Sequence, residues 1–203
     1  PPCSGPHRAE MPALIEAYGL QAQCWRFADK TDAIVAASKV VADEFSHRYW
    51  PDPKKVLIAP QGIAFNRYEG KREQLRAEVR KELSLPSESL IVMGCGYGDT
   101  RKGIDLFVRV AGAVKQRCEA GRVAFVWVGA LDERIAPYVM ADAKRLGADD
   151  VFRVTGRTAD AARYFAAADV FALTSREDPF PSVVMEAFDA RLPVVAFDGG
   201  GGY

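Results

Sequence analysis

The chain has 203 residues, of which 49% are hydrophobic, and its 27 Lys and Arg residues balance 27 Asp and Glu residues. This composition supports a buried core and excludes a disordered chain. Zero net charge gives no argument for nucleic acid or an anionic membrane as a partner. No apolar run approaches the about 20 residues that a membrane-spanning helix needs. The composition therefore indicates a cytosolic protein in which any anion site is local.

The cysteines and histidines do not suggest a metal or redox centre. The cysteines are scattered, without the paired spacing of such motifs, and indicate reduced, buried thiols. They are Cys3, Cys24, Cys95 and Cys118. His7 and His47 stand too far apart to begin a metal cluster. The start, Pro1-Pro-Cys-Ser, resembles neither a signal peptide nor a natural initiation site, so we expect a fragment.

The first part of the chain predicts a short α/β segment. Residues 33–37 predict a strand, Ser38 is a suitable N-cap for a helix over 39–49, and residues 55–58 predict a second strand. Proline-containing turns follow the helix and the second strand.

A domain hinge is expected at residues 59–68. Residues 1–62 then form the remnant of a first domain with its hinge, and residues 63–203 form the main domain.

The main domain alternates short apolar runs with amphipathic stretches. The predicted strands are 90–93, 123–128, 151–154, 170–173 and 193–197. The predicted helices are 70–83, 103–118, 133–146, 159–167 and 182–190. Because the strands are continuously apolar, they indicate a parallel sheet that helices cover on both faces. We therefore predict an α/β fold with a doubly wound parallel sheet and right-handed crossovers.

The first candidate site is the glycine-rich stretch 94–103, GCGYGDTRKG. Gly96 and Gly98 allow close approach of backbone to a ligand, and Arg101 and Lys102 place two cations at a helix start, where free amides favour an anion. This combination suits a diphosphate. The spacing is neither the dinucleotide fingerprint nor a Walker loop. A glycine-rich turn with solvated basic residues is the alternative.

The second candidate site is the stretch 175–187, SREDPFPSVVMEA. Pro181 suits a helix entry, so we expect a helix to begin at Pro181 or Ser182 and to point its free amides at the same cleft. Asp178 precedes that start and Glu186 lies about one turn inside, with seven residues between the two acids. The alternative is that Asp178 is a helix cap and Glu186 a solvated residue.

Together the two stretches suit a sugar nucleotide. Ligands of doubly wound sheets bind at the carboxyl ends of the strands, where both stretches begin. Cations and amides suit phosphates, while carboxylates accept hydrogen bonds from sugar hydroxyls, each worth about 1.5 to 3 kcal/mol.

The order of these pieces resembles the retaining glycosyltransferases of the group 1 family, family 4. Their GT-B fold has two facing Rossmann-like domains. The matching segments are AIVAAS at 33–38, VLIAPQGI at 56–63, RKGIDLF at 101–107, FVWVG at 125–129, VTGR at 154–157, ADVF at 168–171, SREDPFPSVVMEA at 175–187 and LPVVA at 192–196.

The resemblance assigns roles to the acidic residues. It implies that Asp178 addresses the donor sugar and Glu186 the ribose of the nucleotide. Asp178 stands where the family has Glu, and Glu177 beside it is a possible substitute.

The resemblance also assigns the remaining donor contacts. Arg101 stands in for a family arginine at the position of Gly96 or Tyr97, and the base lies near 155–158, which includes Gly156 and Arg157.

The implied reaction is transfer of a sugar from a nucleotide diphosphate donor with retention. Arg101, Lys102 and the amides of Ser182, Val183 and Val184 would stabilise the charge on the leaving diphosphate. No metal or other cofactor is expected, and the sequence contains no Asp-X-Asp triplet.

The partners follow from the same resemblance. The main domain is expected to bind the nucleotide-sugar donor, while the acceptor, a glycan or lipid-linked glycan, would need the missing first domain. The chain is expected to bind donor nucleotide weakly and turn over little. Any contact with the inner face of a membrane would belong to the full-length protein, and polysaccharide or glycoconjugate biosynthesis is the expected role.

Two other functions stay open. A GT-B-fold sugar-nucleotide epimerase would share the donor cleft, and a non-catalytic nucleotide-binding or interaction module would share the fold.

Overall fold

The computed structural model describes residues 30–49, 52–63, 70–118, 121–198 and 201. The chain divides into two compact units at the step from Gln61 to Gly62. Cys3, Cys24 and His7 lie outside the described residues, and the predicted hinge at 59–68 lies partly outside them.

The first unit contains a small parallel pair of strands. Strand β1 (Ile34–Ala36) pairs with β2 (Val56–Ile58), and helix α1 (Lys39–Tyr49) and a single 3₁₀ turn (Pro53–Lys55) lie between them in sequence. Ser38 caps α1 as predicted: its Oγ accepts the Val41 amide at 3.3 Å and its carbonyl accepts the Ala42 amide at 3.0 Å.

In the described part of the second unit, strands and helices alternate. They are α2 (Arg72–Glu82), β3 (Leu90–Cys95), α3 (Ile104–Lys115), β4 (Val123–Val128), α4 (Ala136–Arg145), β5 (Phe152–Val154), α5 (Ala162–Ala167), β6 (Val170–Leu173), α6 (Ser182–Asp189) and β7 (Val194–Ala196). Five parallel strands form a sheet in the order β5-β4-β3-β6-β7. The predicted doubly wound α/β class is confirmed, and the predicted element ends move by at most three residues.

The sheet separates two hydrophobic clusters. On β4, Val126 and Val128 pack into the cluster that also contains α5 and α6, whereas Phe125 and Trp127 pack into the cluster that contains α3 and α4. The ring of Phe107 meets the rings of Phe125 and Trp127 edge-on, with centroids 5.6 and 5.3 Å apart. Burial on both faces therefore explains why the strand is apolar at every position.

An ion cluster ties α2 to the amino-terminal edge of the sheet. The Asp169 carboxylate accepts Arg76 at 2.8 Å, Arg80 at 3.3 Å and the amide of Ile91 at 2.8 Å. The pKa of Asp169 lies below its usual value: burial raises it, but the Ile91 amide, Arg76 and the charge of Arg80 outweigh burial. The cluster therefore favours the ionised carboxylate.

The strand order creates one topological switch point. From β3 the chain adds strands β4 and β5 on one side, and then β6 and β7 on the other side. The loops that follow β3 and β6 therefore leave the sheet side by side at its carboxyl edge, where α/β sheets bind ligands. Among the described helices, none is long and apolar enough to cross a membrane.

Candidate functional site

The loops after β3 and β6 lie in direct backbone contact. The amide of Arg176 donates to the carbonyl of Arg101 at 2.9 Å, and the Thr174 hydroxyl donates to the carbonyl of Lys102 at 3.3 Å. Gly103 has φ +71° and passes so close that a Cβ there would lie 1.9 Å from the Thr174 carbonyl oxygen. The two predicted stretches thus meet at the switch point, and glycine is required where they cross.

Lys102 and Asp178 form an ion pair between these loops. The Lys102 ammonium nitrogen lies 2.5 Å from Oδ2 of Asp178, and the two side chains are 16% and 7% exposed. The Asp178 backbone also pairs with that of Gly201, where a Cβ would lie 2.1 Å from the Asp178 carbonyl oxygen. The cation predicted for phosphate and the acid predicted for sugar are therefore partners of each other.

Arg101 and Glu177 lie at the exposed rim of the same junction. The Arg101 guanidinium donates to the backbone carbonyl of Glu177 at 3.4 Å. Both side chains are exposed, in contrast to Asp178 beside them. The buried carboxylate at this junction is therefore that of Asp178.

Cys95 is the last residue of β3, and the charges of Glu186 and Lys102 both act on its thiol. Burial, and then the negative charge of Glu186, raise the pKa of its thiol to about 12, while Lys102 acts in the opposite direction. Glu186 on α6 is half-buried. Both charges therefore act close to the end of β3, at a residue that sequence reasoning assigned only to packing.

Asp99 occupies the amides at the start of α3. Its Oδ1 accepts the Lys102 amide at 2.7 Å, and its carbonyl accepts the amides of Gly103 and Ile104 at 3.1 and 3.4 Å. Asp105 also lies in the first turn, so a carboxylate already compensates the helix dipole. The expectation that these amides are free for an anion is wrong, because the side chain and the carbonyl of Asp99 within the loop accept them.

The start of α6 differs from that of α3. The helix begins after Pro181, at Ser182 as predicted, with no acidic residue in its first turn. Among the described residues, no side chain caps it, so Asp178 is not the helix cap that the alternative interpretation required. Ser182 and Val183 are half-buried. Of the two predicted anion-binding helix starts, α6 is therefore the suitable one.

Gly96 and Gly98 bind the loop after β4. The Gly96 amide donates to Val128 O at 3.0 Å, and the Gly98 amide donates to Ala130 O at 2.8 Å. A Cβ on Gly129 would lie 2.1 Å from the Gly96 carbonyl oxygen. These glycines therefore allow backbone to approach backbone, and their amides are already used.

The loop after β5 continues the same edge. Gly156 has φ +71° and pairs with Gly129, while Arg157 is exposed. The Thr155 hydroxyl oxygen accepts the Gly129 amide at 3.2 Å. This loop lies beside the loop after β4, and two strands, β4 and β3, separate β5 from β6 in the sheet.

Sequence reasoning missed two ion pairs at this edge. Arg176 forms a two-pronged pair with Asp105, at 2.7 Å on each prong. Asp132, after β4, is buried and accepts the Arg134 side chain and amide, which lower the pKa of Asp132 to about 2. The charges of these four residues were visible in the sequence, but which acid pairs with which arginine was not, because a single arginine in the sequence reads as a solvated residue.

Within residues 30–49, 52–63, 70–118, 121–198 and 201, no group of three or more His, Cys, Asp or Glu side chains could hold a metal ion.

Comparison with known proteins places the chain in a family. A sequence profile of the family described as Glycosyl transferases group 1 matches residues 88–203. The chain is 30% identical to a D-inositol 3-phosphate glycosyltransferase of Actinosynnema mirum, over 85% of this chain and 42% of that protein. It is 27% identical to mannosylfructose-phosphate synthase of Agrobacterium fabrum, over 84% of this chain and 38% of that protein.

Solved structures show the same fold. Anabaena HepE, crystallised with UDP and glucose, superposes with a TM-score of 0.78 at 21% identity, over 89% of this chain and 48% of that one. WaaG, a glycosyltransferase involved in lipopolysaccharide biosynthesis, gives a TM-score of 0.70 at 20% identity, over 83% of this chain and 45% of that one. The α/β unit thus has the fold of a GT-B type domain.

The chain belongs to the group 1 family of glycosyltransferases. It spans about two fifths of the length of the two relatives compared above.

Proposed function

We propose that this chain provides the donor-binding part of a glycosyltransferase that transfers a sugar from a nucleoside diphosphate to an acceptor with retention. The observation that carries the proposal is the junction of the loops after β3 and β6. There a largely buried Lys102–Asp178 pair is joined by the start of α6, which no described side chain caps. Residues 63–203 are the donor-binding domain in this proposal, and residues 1–62 belong to the acceptor side.

The diphosphate binds against Lys102, Arg101 and the amides of Ser182 and Val183. Negative charge grows on the diphosphate as the bond to the anomeric carbon breaks, and fixed cations and amides stabilise that charge without reorganisation. Lys102 is suited to this role because Asp178 already holds its ammonium in a partly dehydrated position, at 2.5 Å. A phosphate oxygen would share or replace that partner.

The sugar binds next to Asp178. Once a phosphate engages Lys102, the Asp178 carboxylate can accept hydrogen bonds from sugar hydroxyls. Asp178 is buried, whereas Glu177 is exposed and its backbone carbonyl accepts a hydrogen bond from Arg101. This difference favours Asp178 over Glu177 as the acid that contacts the sugar.

The nucleoside extends from the diphosphate along the sheet edge. Glu186 accepts ribose hydroxyls, and the backbone near Gly156 and Arg157 receives the base. HepE was crystallised with UDP, so UDP is the first nucleotide to test here. WaaG acts in lipopolysaccharide biosynthesis, which supports a role in polysaccharide or glycoconjugate synthesis.

Calorimetric titration with UDP, GDP and ADP tests the proposal. We expect at least one of the three to bind. Lys102→Ala should weaken the binding of that nucleoside diphosphate more than the binding of the matching nucleoside. Lys115→Ala is the control, because Lys115 pairs with Gly147 and Asp150 at the far end of α3. Binding of none of the three by folded protein would refute donor binding.

Two further assays on the same protein test the alternatives, an epimerase and an interaction module. Release of an epimerised sugar nucleotide without acceptor would show an epimerase. Unchanged nucleotide affinity after Asp178→Ala, Glu186→Ala and Lys102→Ala would show that these side chains are only solvated charges of an interaction module.

A further inference from the structure

We propose that Arg176 is a positioning residue that, together with Asp105, holds the loop bearing Arg101 and Lys102 in register with the loop bearing Asp178. The inference rests on the proposed function, because it concerns the same diphosphate site. Arg176 itself does not need to touch the donor.

Arg176 bridges both loops and the helix between them. Its Nη1 donates to Asp105 Oδ1 and to the Thr100 carbonyl, both at 2.7 Å, and its Nη2 donates to Asp105 Oδ2 at 2.7 Å. Its own backbone amide donates to Arg101 O at 2.9 Å. Arg176, in the loop after β6, therefore fixes the carbonyls of Thr100 and Arg101 and also the first turn of α3.

The geometry of this contact is demanding. A guanidinium that meets a carboxylate with two parallel bonds has a defined plane, which an ammonium cannot reproduce. Arg176 and Asp105 are 45% and 25% exposed at their side chains. Ion pairs with such exposure contribute little to global stability, so the expected effect of the pair is local.

The pair also controls charge beside the phosphate site. Asp105 lies three residues after Lys102, in the first turn of α3. Arg176 neutralises Asp105 there. Without it, an uncompensated carboxylate would stand near the bound diphosphate, and the loop from Thr100 to Gly103 would lose a tie to the β6 loop.

Arginine and aspartate variants separate positioning from charge. We expect Arg176→Ala to weaken UDP binding about five- to tenfold, as for loss of one ordinary hydrogen bond, because the exposed pair acts on the donor only through the loop, and to weaken UMP binding less. Arg176→Lys keeps the charge but not the two-pronged geometry, and should recover only part of the loss. Asp105→Asn keeps the arginine and should still weaken UDP binding. The double variant with Arg176→Ala and Asp105→Asn should bind UDP no more weakly than Arg176→Ala alone.

Lys115→Ala is the matched control, because it breaks an ion pair at the opposite end of the same helix. It should leave the ratio of UDP to UMP affinity unchanged. Full recovery in Arg176→Lys, or stronger UDP binding in Asp105→Asn, would show that charge alone matters and would overturn the positioning role. Equal losses for UDP and UMP would overturn it as well.

Amide hydrogen exchange keeps this inference distinct from the proposed function. Arg176→Ala should speed exchange in residues 99–105, and Lys115→Ala should not. If the unaltered chain binds UDP but Arg176→Ala changes neither exchange nor affinity, the inference fails while the proposed function stands. If no nucleotide binds, the proposed function fails, and unchanged exchange in Arg176→Ala would still refute the positioning.

Discussion

The Lys102 ammonium and the Asp178 carboxylate meet at 2.5 Å across the junction of the loops after β3 and β6. Both side chains are less than one-fifth exposed, at 16% and 7%. A charge in such surroundings is stable only with its partner, because water no longer solvates it fully. The pair therefore contributes to the shape of the junction as well as to the chemistry proposed for it.

Removing the cation alone should destabilise the fold. Lys102→Met leaves Asp178 buried without its partner, and we expect a loss of about 1 to 3 kcal/mol in the free energy of unfolding. Asp178→Asn should cost less, and the double variant should recover part of the Lys102→Met loss. Urea unfolding of the four proteins measures this coupling, and strictly additive losses would show that the two side chains do not interact.

The Cys95 thiol should react slowly with alkylating reagents. Its pKa is raised to about 12 by burial and by Glu186, so almost no thiolate is present at pH 8. Cys118 is exposed and should react faster, as site-resolved mass spectrometry can measure. Glu186→Gln should speed alkylation of Cys95, and an unchanged rate would mean that the Glu186 charge does not reach the thiol.

The raised pKa of Cys95 should make the free energy of unfolding depend on pH in the alkaline range. The usual thiol pKa is near 9, and that of folded Cys95 is about 12, so the unfolded chain loses this proton first. The contribution of Cys95 is therefore present below pH 9 and declines as the pH rises from 9 toward 12, by up to about 1.4 kcal/mol per pH unit. The difference in unfolding free energy between the chain and Cys95→Ala should shrink over this range. A difference that stays constant from pH 9 to pH 12 would contradict the raised pKa of Cys95.

Asp169 should make stability depend on acidic pH. Its pKa is lowered in the fold, so its contribution is present above the usual aspartate value of about 4 and is lost as the pH falls below it. Asp169→Asn should cost about 1 to 3 kcal/mol at neutral pH, because Arg76 and Arg80 lose a charged acceptor. The cost should shrink in acid, as urea unfolding at several pH values measures. Asp142→Asn removes a side chain paired with a mostly exposed Arg145 and is the control.

Gly103→Ala should be much more damaging than Gly156→Ala. Both glycines have φ +71°, so the conformational cost of a side chain is the same, about 1 to 2 kcal/mol. A Cβ on Gly103 would also lie 1.9 Å from the Thr174 carbonyl oxygen, whereas one on Gly156 would meet nothing within 4 Å. The difference in unfolding free energy between the two variants measures the clash between the loops. Equal losses would show that the junction can open without cost.

Local patterns in the sequence were sufficient for the architecture. The uninterrupted run from Val123 to Val128 predicted a strand covered on both faces, and the structure buries it on both. Pro181 predicted the start of α6, which begins at Ser182. These features were readable because strand burial and proline geometry act over a few neighbouring residues. The rule that ligands bind at carboxyl ends then selected the loops that carry the candidate site.

Partners within the site required the folded chain. Lys102 and Asp178 are 76 residues apart, and they meet because β3 and β6 are adjacent in the sheet. The same adjacency places Thr174 against Gly103. Strand order depends on how whole elements pack, so no local periodicity encodes these contacts. Residue types at the site could therefore be anticipated, but which charge neutralises which was decided by the packing of the sheet.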